Sequence, residues 1–171
     1  RYFADSKITT EYQLTPEIYK HAIKVLRMKV GDAFELVDDA EVVHKMEITK
    51  IEDGKAEATS VEVIPSDVEL PSNVTIACGI SKNDKADWIV QKGTEMGATK
   101  FIFFIGDYSV AKWDRKRSSK KVQRLQKIAR SAAEQSHRTK IPEVTFVEKL
   151  KDIDFEKNDA RIVAYEESAK K

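Results

Sequence analysis

The period of the hydrophobic pattern changes once along this chain, and that change limits the folds open to it. Before Leu70-Pro71-Ser72, short runs rich in Val, Ile and Thr (AFELVD, EVVHKMEITKI, KAEATSVEVI) alternate apolar with polar residues. Such alternation belongs to strands with one wet face, and Asp53-Gly54 between the last two runs signals a hairpin. After the break, VTIACGI at 74–80 and FIFFI at 101–105 are continuous apolar runs, the mark of strands covered on both faces. They alternate with helical segments, which builds a parallel α/β sheet. The sequence therefore predicts an α/β protein in two parts: a small, mostly antiparallel β-barrel over 1–70 and an α/β domain over 73–171.

Helix signals refine this division. Thr15, Pro16 and Glu17 combine a hydroxyl cap, a first-turn proline and an acid at the positive helix end. Ile18, Ala22, Val25 and Leu26 then recur at helical spacing, and Gly31 closes the segment. A second helix is expected from about Asp84 to Met96, ended by Gly97, with Trp88, Ile89 and Met96 in the core. A third runs from Ser118 or Ser119 to 137, with Val122, Leu125, Ala129, Ala132 and Ala133 as its apolar stripe. VTFV after Pro142 and RIVAYE at 161–166 are further strand candidates.

The net charge of +1 conceals an uneven distribution. Residues 35–69 hold eleven acids against three lysines, whereas 111–140 hold eleven bases against Asp114 and Glu134. The second block attracts a polyanion or is a solvated helix face. No run approaches the roughly 18–20 apolar residues of a membrane helix. The opening RYFADSKITT lacks the apolar core of a secretory signal, so a cytoplasmic location is expected. The single cysteine, Cys78, precludes an intrachain disulfide and reads as a small buried strand residue. Phosphate-loop, GxGxxG, GxSxG and HExxH signatures are missing, and His21, His44 and His137 have no partner at ligand spacing. The pattern disfavours metal enzymes and hydrolases with an activated nucleophile, and no metal is expected.

Chemistry-bearing residues gather in three places. Lys82 follows strand 74–80, where α/β sheets collect functional groups; it either meets a phosphate or occupies a solvated turn. Glu95 lies on helix 84–96, free for acid–base work or paired with Lys92 or Arg138. On the third helix, Lys120, Lys121 and Arg124 belong to a cationic ridge that can bind phosphates without reading sequence. Its end, AAEQSHR, places small residues beside Gln135 and Arg138, both suited to a base edge or a phosphate.

Four segments, in order, carry a resemblance that spans the chain: RYF at 1–3, HAIKVLRMKVGDAFELVDD at 21–39, KNDKADWIVQKGTEMGATKFIFF at 82–104 and RLQKIARSAAEQSHRTKIPEV at 124–144. Together they resemble the RsmE family, the 16S ribosomal RNA uridine-N3 methyltransferases of the SPOUT (trefoil-knot) class. The resemblance implies an N-terminal PUA-like β-barrel that helps hold RNA and a knotted α/β domain that binds S-adenosylmethionine. It also implies a homodimer acting on 16S ribosomal RNA, within the small ribosomal subunit. Arg1, His21 and Arg27 fall in the barrel part and would join Lys82, Lys120, Lys121, Arg124 and Gln135 in holding RNA. Arg138 would position the substrate, with Glu95 as a second catalytic candidate. Uridine N3 must lose its imide proton before it attacks the methyl carbon, so cations nearby favour the reacting anion. The base must also leave any Watson–Crick pair. The family continues through a GPEGG-type loop and a segment resembling LGxRILRxETA, and neither occurs in these residues. The SPOUT part is therefore expected to be incomplete here, with the cofactor contacts in the absent segment. A non-catalytic RNA-binding module is the alternative if the native chain ends at 171.

Overall fold

In the computed structural model, which describes residues 1–80, 85–106, 113, 115–156 and 159–164, two sheets share no strand. The first holds β1 (Tyr2–Phe3), β2 (Glu11–Gln13), β3 (Ala33–Val37), β4 (Val43–Glu52) and β5 (Lys55–Ile64), in the order β1-β3-β4-β5-β2. All neighbours are antiparallel except β1 beside β3. The β4–β5 hairpin turns where expected: Asp53 and Gly54 both take positive φ, 48° and 75°, the geometry whose twist matches the flanking strands. Register shifts at Lys45/Met46 and Ile48/Lys50 act as bulges that increase the local twist and curl the sheet around one core. Leu36, Met46, Ile48 and Ala58 are wholly buried in it.

Helix α1 (Pro16–Tyr19) begins as the sequence predicts, with Thr15 Oγ1 accepting a hydrogen bond from the Ile18 amide at 3.3 Å. It does not run on to Gly31. Over Lys20–Val25 the chain widens into a π-helix, and the Leu26 amide donates to His21 O at 2.9 Å. Arg27 then ends the helix with φ 57°, while Gly31 (φ 91°) serves the turn before β3. The wider turn rotates Val25 and Leu26 off the core face, where helical spacing had placed them; they are 61% and 56% exposed.

The second sheet is parallel, in the order β6 (Thr75–Gly79), β7 (Lys100–Phe104), β8 (Glu143–Val147). Helices α2 (Lys85–Glu95) and α3 (Arg115–Gln135) pack on the face bearing Phe101, Phe103 and Val144. Four expectations need correction here. Strand β6 is not covered on both faces by the described residues, since Thr75 and Ala77 are exposed. Trp88 and Met96 are not core but 64% and 79% exposed. Residues 161–164 form no strand, and Ile162 and Val163 there are solvent-exposed. Helix α3 also starts before Ser118, which lies buried one turn inside it. No helix among the described residues is long and apolar enough to cross a membrane.

The approach of α2 to the sheet depends on Gly93. A Cβ there would lie 2.6 Å and 2.8 Å from the Phe101 ring and 2.9 Å from Ile76 Cδ1. Phe101 is fully buried, so the ring has nowhere to move. Gly93→Ala is therefore expected to destabilise the α/β domain by about 1–3 kcal/mol, although alanine normally favours a helix. A thermal melt of the variant at or above the parent value would show that the contact yields.

Candidate functional site

A cleft of about 500 Å³ opens where the barrel meets the last turns of α3. The barrel side supplies Tyr2, His21 and Leu26; the helix side supplies Lys127, Arg130, Glu134 and Gln135. His21 reaches the cleft because it sits in the π-helical turn. Its Nδ1 shares a hydrogen bond with the Tyr2 hydroxyl at 2.8 Å, and the two rings stand edge-on with centroids 5.7 Å apart. Across the cleft Arg130 donates to Phe3 O at 2.7 Å and, at 3.4 Å, to Glu134 Oε1. Burial pushes the Glu134 carboxyl up, and the charge and hydrogen bond of Arg130 only partly offset this.

The structure thus brings together Arg1, His21 and Gln135, which lie far apart in sequence, and adds Lys127, Arg130 and Glu134 to them. Arg1 lines the cleft, but its guanidinium is buried against Glu35 at 2.8 Å and donates to His137 O. Lys120 and Lys121 are exposed on α3 outside the cleft lining, and the Lys121 ammonium lies 5.0 Å from the Trp113 ring centroid. Arg124 pairs with Asp87 of α2, so part of its charge is already neutralised. Arg27 is exposed at the end of the π-helix, outside the lining of the cleft. Lys82 lies outside the described residues. Glu95 pairs with Lys92 at 2.7 Å and not with Arg138. Cys78 is half-buried and its thiol is pushed up by burial, as for an inert strand residue.

Arg138 requires the largest revision. It is 4% exposed and donates to Glu69 through both Nε and Nη2, at 3.3 Å and 2.5 Å, and to the carbonyls of Thr94 and Ala98. Glu69 in turn accepts from the amides of Thr139 and Lys140, at 2.9 Å and 3.1 Å. The guanidinium is enclosed by these partners, so this geometry gives no support to a direct contact with substrate. Its place is at the junction: it ties the interdomain linker to the ends of α2 and α3.

The same cluster sets an acid sensitivity. Burial alone would raise the Glu69 carboxyl, but the Arg138 hydrogen bonds, the two amides and the arginine's charge outweigh it and hold it below 4.5. Asp38 is likewise held below 3.8, burial being outweighed by the Val42 and Ala40 amides and by His44, whose Nε2 lies 3.3 Å away. Both folded values lie below the unfolded ones. Their stabilisation is therefore complete above the unfolded values and lost as pH falls through the folded ones. Urea midpoints should hold from pH 7 to 5 and fall below about 4.5, and Glu69→Gln should flatten that acid limb. An acid limb unchanged in Glu69→Gln would remove Glu69 from the account.

Comparison with known proteins fits this geometry. The family described as RNA methyltransferase domain matches residues 68–171, and the one described as RNA methyltransferase PUA domain matches 14–59. Ribosomal RNA small subunit methyltransferase E of Bacillus subtilis is 39% identical over 164 residues, covering 93% of this chain and 63% of the relative. The protein of the same name from Buchnera aphidicola is 31% identical over 142 residues, covering 82% of this chain and 55% of the relative. Among solved structures, ribosomal RNA small subunit methyltransferase E from Neisseria gonorrhoeae, bound to S-adenosyl methionine, superposes with a TM-score of 0.76 at 29% identity. That match covers 85% of this chain and 61% of the other. The chain therefore spans roughly 55–63% of the length of these relatives. With its PUA-like barrel followed by an α/β domain matched over 68–171, the chain belongs to the RNA methyltransferase family.

Proposed function

We propose that this protein methylates N3 of a uridine in 16S ribosomal RNA, with S-adenosylmethionine as methyl donor, as a cytoplasmic homodimer with the knotted topology of its class. The observation that carries this reading is the cleft. A PUA-like barrel and a cationic helix of a methyltransferase domain meet there, and aromatic groups of the barrel and cations of the helix face one space. Such a space suits an RNA strand, with phosphates on cations and an unstacked base against rings. The relatives named for ribosomal RNA small subunit methylation support the substrate class.

The described residues show no cradle for the methyl donor. We place the cofactor contacts outside the described residues, in the later segment that the resemblance to the family implies. What these residues do is bind and orient. Lys127 and Arg130 hold the backbone, and Tyr2 fixes the His21 ring for stacking. The cationic surroundings favour the N3 anion over the neutral imide.

The test is a strain lacking the gene, with its 16S ribosomal RNA digested and the nucleosides analysed by mass spectrometry. Loss of one N3-methyluridine, restored by the full-length protein with S-adenosylmethionine, is expected. An unchanged nucleoside profile would overturn the reading.

A further inference from the structure

Glu134 is the anomaly of the cleft. Lys127 and Arg130 beside it suit phosphate, yet a carboxylate among them repels phosphate. Among the described residues its hydrogen-bond partner is Arg130 Nε at the long distance of 3.4 Å, although two carboxylate oxygens offer about four acceptor positions. An acceptor so lightly used, and raised by burial in a cleft large enough for a nucleotide, suits a neutral ligand that brings N–H groups.

Among the RNA bases only guanine presents two adjacent ring-edge donors, N1–H and the N2 amino group, spaced for the two oxygens of one carboxylate. Adenine and cytosine offer one amino group on that edge, and uracil one imide. The His21 ring, held by Tyr2, supplies a stacking surface, and Lys127 and Arg130 supply the phosphate contacts. We infer that the cleft is a guanine-specific subsite, in which Glu134 accepts N1–H and N2–H from an unstacked guanine near the methylated nucleotide. The inference rests on the RNA-binding reading above and adds to it a base identity. Glu134 is then a specificity residue, while the cations of α3 set affinity for any sequence.

The experiment uses the full-length protein and fluorescein-labelled heptanucleotides UUUGUUU, UUUIUUU and UUUUUUU, with binding followed by anisotropy. Inosine keeps N1–H but lacks the 2-amino group. The guanine strand should bind roughly tenfold more tightly than the inosine strand, the effect of one hydrogen bond to a charged acceptor. Glu134→Gln keeps the side chain's size but turns an N–H donor toward the base; it should erase the guanine preference, while UUUUUUU binds at least as tightly as before because a charge that repels phosphate is gone. Equal affinity of the unaltered protein for the guanine and inosine strands overturns the inference and leaves RNA binding standing, even if the variant fails to fold. A guanine preference that survives Glu134→Gln overturns the assignment to Glu134. Failure to bind any of the strands overturns both the subsite and the RNA-binding reading beneath it.

Discussion

Arg138→Met should lower the stability of the protein by about 3–5 kcal/mol, the penalty for leaving one member of a buried ion pair without its partner. Glu69 is 16% exposed at the side chain and Arg138 4%, so water cannot replace the lost contacts. Two backbone carbonyls, of Thr94 and Ala98, would lose their donor in the same step. Arg138→Lys should recover little, because an ammonium cannot reproduce the planar fork that reaches Glu69 and both carbonyls. Urea denaturation of the two variants beside the parent measures this. An unfolding free energy for Arg138→Met within about 0.5 kcal/mol of the parent, the range of ordinary surface changes, would show that the cluster is not structural.

RNA affinity should respond most to the cations of α3 that have no acidic partner among the described residues. Lys120, Lys121 and Lys127 are exposed, whereas Arg124 already faces Asp87. Replacing the three lysines with alanine should make the dependence of log affinity on log salt shallower by about 2, at about 0.7 per lost contact on a single strand. Arg124→Ala alone should change the slope by less than one such step. Binding to a uridine homopolymer across a salt series checks both. A slope unmoved by the triple replacement would mean that the strand runs elsewhere.

The barrel was legible because period-two alternation and Asp53-Gly54 carry strand, face and turn together. The start of α1 was legible too, since Thr15 and Pro16 act locally. Its end was not. Arg27 takes a left-handed conformation that its side chain does not announce, and no residue type marks Lys20–Val25 as π-helical. VTIACGI reads as covered on both faces because apolar composition reports a tendency to be buried and not whether anything among the described residues covers it, and RIVAYE reads as a strand on the same composition alone. Arg138 was placed at the substrate because its pairing with Glu69 spans 69 positions and depends on how the two domains dock. The cleft was hidden for the same reason: His21 and Glu134 share a space only after docking. A carboxylate among eleven bases was the available clue, and the charge count treated it as background.

The arginines at the junction share one habit. Arg1 donates to His137 O, Arg130 to Phe3 O, and Arg138 to Thr94 O and Ala98 O. All four acceptors are main-chain carbonyls, which every amino acid carries. The grip itself therefore places no demand on the side chains of the gripped positions, of which Phe3, Thr94 and Ala98 are held by burial instead, while the gripping residues must be arginine. A barrel transplanted from a distant relative would still offer the carbonyl that Arg130 requires, whatever side chain stood at position 3. Each contact is thus undemanding at its acceptor and fixed at its arginine, and because Arg1 belongs to the barrel and Arg130 to α3, each domain supplies one fixed residue and one unspecific carbonyl.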